Sequence, residues 1–188
     1  MYKSVYRVAV VYATATGKGN GISFSRPTGI KRMTEIRKSI VMMRLMLTIT
    51  ILSAFIDQLS KLLVRRAVST KGIMRVIEGW LYLTYAENTG MAFGMLRGWN
   101  HVFVFIKVFT IVFILAYHKQ FRSTGWMKIS LGLLMGGTLG NLVDRAIFGY
   151  VTDFISVRWL PSFNIADVCI YVGVTMLVIE MFRRNIVE

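Results

Sequence analysis

Cysteine, histidine and acidic residues are all scarce in this chain. Cys169 stands alone among 188 residues, which excludes an intrachain disulfide and a cysteine-based metal framework. Only two histidines occur, His101 and His118, and they bracket one apolar segment from opposite ends, so they cannot cooperate in ligation or base catalysis. No Gly-x-Ser-x-Gly elbow and no His-Glu-x-x-His run is present, which removes the common serine-hydrolase and zinc-peptidase sites. Charged residues make up 17% of the chain, against roughly 25% in an average soluble domain.

What is abundant is apolar. Hydrophobic residues account for 55% and the mean hydropathy is +0.56, which places the chain in a membrane as a single domain. Four segments approach the length of a membrane helix, about 20 residues: Leu45 to Val64, Val102 to Tyr117, Ile129 to Ile147, and Ile165 to Phe182. The fold class expected is an all-α membrane protein, a four-transmembrane-helix bundle with short links. Between the first and second spans, Trp80-Leu81-Tyr82-Leu83-Thr84-Tyr85 alternates and Glu87-Asn88-Thr89-Gly90 has turn chemistry. A small extracytoplasmic β-rich flap is expected there, with Trp80, Tyr82, Tyr85 and Trp99 as interfacial anchors.

The formal charge of +14 is not a nucleic-acid signature, because residues 1 to 38 supply half of it with eight Lys or Arg and one Glu. Residues 1–41 read as a basic extension, either a disordered tail or a translation start placed too early; Met33, Met42 or Met43 would open a shorter chain. Residues 42–188 form the membrane domain. The positive-inside count, ten against eight, weakly favours cytoplasmic termini.

Four aspartates occur, and all lie in or beside apolar stretches. Carboxylates at a membrane are costly and are read as functional by default. Asp153 follows the third span and Asp167 opens the fourth, so a short antiparallel link brings them together. Such a pair can share one proton and work as acid and base. Asn164, three residues before Asp167, suits a helix cap, and a helix start favours a charged Asp167, leaving Asp153 to carry the proton. Asp57 and Lys61 are one turn apart and suit a structural pair. Gly132, Gly136 and Gly140 recur at four-residue spacing, a helix-packing pattern. Asn141, Asp144 and Arg145 are compatible with a helix end carrying a local ion pair or with a binding role.

Taken in order, Asp57-Gln58 with Lys61, Asn88-Thr89-Gly90-Met91-Ala92-Phe93-Gly94, Gly136 to Asn141 with Asp144-Arg145, Val151-Thr152-Asp153-Phe154-Ile155, and Phe163-Asn164-Ile165-Ala166-Asp167 resemble the motif blocks of lipoprotein signal peptidase, signal peptidase II. That resemblance implies an aspartic endopeptidase of the bacterial inner membrane, multi-pass, with its site on the extracytoplasmic side and both termini cytoplasmic. It removes signal peptides from diacylglyceryl-modified prolipoproteins on the N-terminal side of the lipidated cysteine, and globomycin inhibits it. The catalytic pair would be Asp153 and Asp167, with Asn88, Asn141, Arg145 and Asn164 lining the substrate site. Asp57, Lys61, Asp144, Gly136 and Gly140 would support it. Neither cofactor nor metal is implied; the partners are the lipid-modified precursor and membrane lipid, and the chain is expected to be monomeric. Competing readings are a small proton-coupled transporter and a non-enzymatic lipoprotein-binding protein. The aspartates cluster at one membrane face and no internal repeat is present, both of which weigh against transport.

Overall fold

The computed structural model describes residues 28–68, 72–90, 96, 98–118, 120 and 124–187. In chain order the elements are helix α1 (Thr28–Ala67), strands β1 (Met74–Ile77) and β2 (Leu81–Asn88), helix α2 (Asn100–Tyr117), helix α3 (Gly125–Phe148), strand β3 (Val151–Val157) and helix α4 (Ile165–Val187). Residues Arg37–Glu188 cluster as one unit and Met1–Ile36 as another. Residues 1–27 of the basic extension and the Met91–Gly94 part of the second motif lie outside the described residues.

Among the described residues three helical stretches are long and apolar enough to cross a membrane: Arg32–Ala67, Asn100–Tyr117 and Ile165–Arg183. The remaining long helix, α3, covers the third expected span but is diluted by glycines, Asn141, Asp144 and Arg145. The reason is its position. Thirteen of its 24 residues are buried, whereas α2 buries only Phe103 and Ile114. The outer helices turn apolar side chains outward, among them Phe55, Phe105, Phe109 and Tyr171. A helix surrounded by other helices can carry polar groups that a lipid-facing one cannot.

The glycines of α3 set how closely its neighbours approach. A Cβ at Gly132 would stand 2.8 Å from the Ile49 Cβ and from the Met46 carbonyl oxygen of α1. One at Gly136 would collide with Ser53 Oγ and approach the Thr50 carbonyl oxygen to 2.7 Å. Gly137 faces the other way, against the Ala166 carbonyl of α4, and Gly173 of α4 returns the contact with 2.9 Å to the Ser130 carbonyl oxygen. Hydroxyls reinforce the seams: Thr50 Oγ1 donates to the Gly132 carbonyl (3.2 Å) and Ser130 Oγ to the Gly173 carbonyl (2.7 Å). An apolar cluster of Met46, Ile114, Met127, Leu131 and Met135 fills the same half of the bundle.

At the other half a buried ion cluster joins three elements. Lys61 Nζ lies 2.8 Å from Asp57 Oδ2 and 3.2 Å from Asp144 Oδ2, with all three side chains fully buried. Arg65 Nη2 meets Asp144 Oδ1 at 2.8 Å, and Arg65 Nε donates to Thr152 Oγ1 at 3.0 Å. Gln58 Nε2 adds donations to the Gly140 carbonyl (2.9 Å) and Asp144 Oδ1 (3.1 Å). The ion pair expected of Asp144 is therefore not local: its partners are Lys61 and Arg65 of α1. Consecutive helix residues point about 100° apart, and Asp144 turns to α1 while Arg145 turns to α2.

The three strands form one antiparallel sheet in the order β1-β2-β3. A flap confined to the link between the first two spans corresponds only to β1 and β2. The third strand comes from the Val151–Ile155 run, which reads from sequence as an apolar flank of the third span. Short apolar runs do not distinguish strand from helix by periodicity, and here Gly149 ends α3 in the left-handed region (φ 79°), freeing the next residues to pair. The register sets Ala86 opposite Asp153 and Asn88 opposite Val151.

Two substitutions test this frame. Gly136→Val should lower thermal stability by about 1–3 kcal/mol through overpacking against the α1 backbone, whereas Gly125→Ala, where a Cβ meets nothing within 4 Å, should be close to neutral by the same melting assay. Lys61→Met leaves the buried Asp57 without its cation and Asp144 with Arg65 alone, and should cost about 3–5 kcal/mol; a melting temperature equal to wild type would show that the cluster does not hold the bundle.

Candidate active site

Asp153 enters the site from the middle of β3 and Asp167 from the first turn of α4. Asn164 links them. Its side chain caps α4, with Oδ1 accepting from the Asp167 N–H at 3.0 Å, and Asp167 Oδ2 accepts in return from the Asn164 N–H at 3.2 Å. This is the reciprocal arrangement of a capping box, built with Asp in place of Glu. The remaining Asn164 group, Nδ2, donates to Asp153 Oδ1 at 2.7 Å and to Asn141 Oδ1 at 3.2 Å. One buried amide therefore caps the helix that carries one carboxylate and binds the other.

The surrounding donors complete the pair. Asn88 Nδ2 at the end of β2 donates to Asp153 Oδ2 (2.9 Å), and Asn141 Nδ2 from α3 donates to Asp167 Oδ1 (2.8 Å). Asn141 is oriented by Lys61, whose Nζ donates to its Oδ1 at 2.9 Å, so the amide must present its NH2 to Asp167. Asp153 is only 3% exposed. Burial raises its carboxyl from the ordinary 3.8 to about 6, the Asn88 donation opposes that rise, and the charge on Asp167 adds to it.

The ion cluster positions both carboxylates through the backbone. Asp144 Oδ2 accepts from the Thr152 N–H at 2.9 Å, and Asp57 Oδ1 accepts from the Ala166 N–H at 2.8 Å. Thr152 and Ala166 are the residues immediately before Asp153 and Asp167. Two aspartates sharing Lys61 thus hold the peptide units that carry the other two.

Arg145 reaches away from this pair toward the second motif. Its Nη2 donates to the Gly90 carbonyl (2.6 Å), its Nη1 to Asn100 Oδ1 (3.2 Å), and the guanidinium lies 4.5 Å from the centroid of the Phe103 ring. Its Nε is buried and meets no acceptor among the described residues. A buried donor without a partner is costly and marks where another molecule can supply an acceptor.

The structure thus brings Asn88, Asn141, Asp153, Asn164 and Asp167 into one hydrogen-bonded network, with Asp57, Lys61 and Asp144 behind it and Arg145 at its edge. Gly140 makes room for it: a Cβ there would stand 2.5 Å from Asp57 Oδ2. Sequence reading gave no site role to Arg65 or Thr152. The spacing of Arg65 carried the signal, since Asp57, Lys61 and Arg65 are successive i, i+4 neighbours on one helix face. Among the described residues no three His, Cys, Asp or Glu side chains are grouped so as to hold a metal ion.

Residues 49–183 match the family model of signal peptidase (SPase) II. The lipoprotein signal peptidase of Halothermothrix orenii is 38% identical over 137 residues, 73% of this chain and 94% of that one. Those of Moorella thermoacetica and Pseudomonas aeruginosa are 41% and 39% identical, over 70% and 74% of this chain and 88% of each relative. A solved bacterial membrane enzyme superimposes with a TM-score of 0.70 at 28% identity, covering 74% of this chain and 88% of its own. With its family match running through every element from α1 to α4, the chain belongs to the signal peptidase II family.

Proposed function

We propose that Asp153 and Asp167 are the catalytic pair of this signal peptidase II, acting on one water and one peptide bond. As a member of that family the chain is an aspartic-type endopeptidase that removes signal peptides from prolipoproteins. The observation that carries the residue assignment is the Asn164 bridge: its side-chain Nδ2 donates to Asp153 Oδ1 at 2.7 Å and its backbone N–H donates to Asp167 Oδ2 at 3.2 Å. Asp153, with its raised carboxyl, carries the proton and donates a hydrogen bond to the scissile carbonyl. Asp167 takes a proton from the attacking water. The tetrahedral oxyanion is stabilised by the Asp153 proton, and the proton gathered by Asp167 passes to the leaving nitrogen. No covalent intermediate forms.

The polar groups around the pair bind substrate. The unpartnered Arg145 Nε–H offers a donor to a main-chain carbonyl, and Asn88 and Asn164 keep Asp153 oriented. All four long helices cross the membrane, α3 included, with both termini cytoplasmic and the pair at the extracytoplasmic face of the bacterial inner membrane. There a diacylglyceryl-modified cysteine leaves its acyl chains in the bilayer and presents the adjoining bond near the headgroups, within reach of water. The β1-β2-β3 sheet covers this site, and Trp80 and Trp99, both exposed, sit in the interface as anchors.

Asp153→Asn and Asp167→Asn should each abolish cleavage of a lipidated precursor in detergent while the variants still melt cooperatively; cutting at the wild-type rate by either would refute the assignment. Stability should also report the buried acid. Because the folded value of Asp153, about 6, lies above the 3.8 of an exposed aspartate, its contribution to stability is complete below 3.8 and is lost as pH rises through about 6, by about 3 kcal/mol. Relative to wild type, Asp153→Asn should therefore gain stability progressively between pH 4 and 7. A flat difference across that range would remove Asp153 as the proton carrier.

A further inference from the structure

Helix α2 contains one Lys, Arg, Asp or Glu, and it does not face outward. Lys107 lies four residues after Phe103, which packs under Arg145, and seven before Ile114, which packs into the Met127–Leu131 core. It is therefore in the middle of the α2 face turned to α3. The opposite face is the aromatic ladder Phe105, Phe109 and Phe113, stacked at 6.5 and 6.2 Å and exposed to lipid. Seven residues below Asn100, Lys107 sits about 10 Å down the helix, too deep for a charge without a purpose.

Its surroundings indicate that purpose. Lys61 is saturated by Asp57, Asp144 and Asn141, Arg65 is held by Asp144 and Thr152, and Arg145 is held by Gly90 and Asn100. Lys107 alone among these cations makes no hydrogen bond or ion pair with a described residue. On the neighbouring α3, which runs antiparallel, Asn141 is one turn from Arg145 as Lys107 is one turn from Phe103, so the Arg145–Phe103 contact sets Lys107 level with the Asn141 that donates to Asp167. The charged groups around the pair are thus Asp57, Lys61 and Arg65 from α1, Lys107 from α2, and Asp144 and Arg145 from α3. Within that set Asp57 and Asp144 balance Lys61 and Arg65. Arg145 is committed to Gly90 and Asn100, which leaves Lys107 as the cation not held by a described residue.

We propose that Lys107 is a positioning residue that sets the ionisation range of the Asp153–Asp167 pair from the inward face of α2, holding the pair in its singly ionised form at lower pH than the remaining groups would allow. A cation favours each ionised form of the pair, so its removal must move both deprotonations upward. The inference rests on the dyad assignment above and adds a residue outside the five motif blocks.

The test is the pH profile of kcat/KM for a lipidated precursor, measured on the full chain in detergent for wild type, Lys107→Met and Lys107→Arg. Lys107→Met should move the acid and alkaline limbs to higher pH by about one pH unit, so that activity below the acid limb drops roughly tenfold while activity on the alkaline side is kept or gained. Lys107→Arg should restore the wild-type profile. Should Lys107→Met fail to accumulate, Lys107→Gln is read the same way. Limbs that stay in place, move down, or merely scale with a lower kcat would overturn the proposal. Asp153→Asn and Asp167→Asn run alongside: if either still cuts, the dyad reading itself fails, whereas inert dyad variants with an unmoved Lys107→Met profile reject Lys107 alone.

Discussion

A lysine buried between two aspartates organises this protein. In a medium of low dielectric an unpaired ammonium or carboxylate is prohibitively expensive, so Lys61, Asp57 and Asp144 can be buried only together. That requirement ties α1 to α3 at one height. The second oxygen of each aspartate then accepts one further backbone N–H, from Ala166 and from Thr152. Because these precede Asp167 and Asp153, the ion cluster fixes two peptide units from two different elements, and the geometry of the two carboxylates follows from the neutralisation of a charge several residues away.

Close packing makes the cluster possible. Gly136 and Gly140 let α1 lie against α3 with no intervening side chain, and Gly137 does the same for α4 on the other side. In lipid, helices gain little from burying apolar surface, so small residues and interhelical hydrogen bonds supply the association that hydrophobicity supplies in water. The central helix is accordingly the one of the four without a continuous apolar stretch of membrane length. Its polar residues are buried by neighbours, and the neighbours give their apolar faces to the bilayer.

The proposed role of Asp153 comes at the expense of stability. Asp153 is buried on a strand with two amide donors, and its raised carboxyl disfavours the folded state at neutral pH. A protein selected for stability alone would have an asparagine or an apolar residue there. The excess cation on α2 offsets part of that cost by favouring charge on the pair.

Much of this could be read from residue order. Apolar runs of membrane length marked the helices, the alternating Trp80–Tyr85 segment marked strand β2, and the short link between Asp153 and Asp167 required them to be neighbours, because such a link leaves antiparallel ends no other place to go. The capping role of Asn164 and the i, i+4 pair of Asp57 and Lys61 are likewise local, decided within one turn of helix. The third strand was not legible, since Val151–Val157 is short and apolar and becomes a strand only because β2 lies alongside to satisfy its backbone. Nor could sequence choose between Lys61, Arg65 and Arg145 as the partner of Asp144, or show that Lys107 faces inward. Those depend on how helices rotate against one another, which is settled by glycine contacts and by the need to neutralise every buried charge at once, and neither is a property of any single segment.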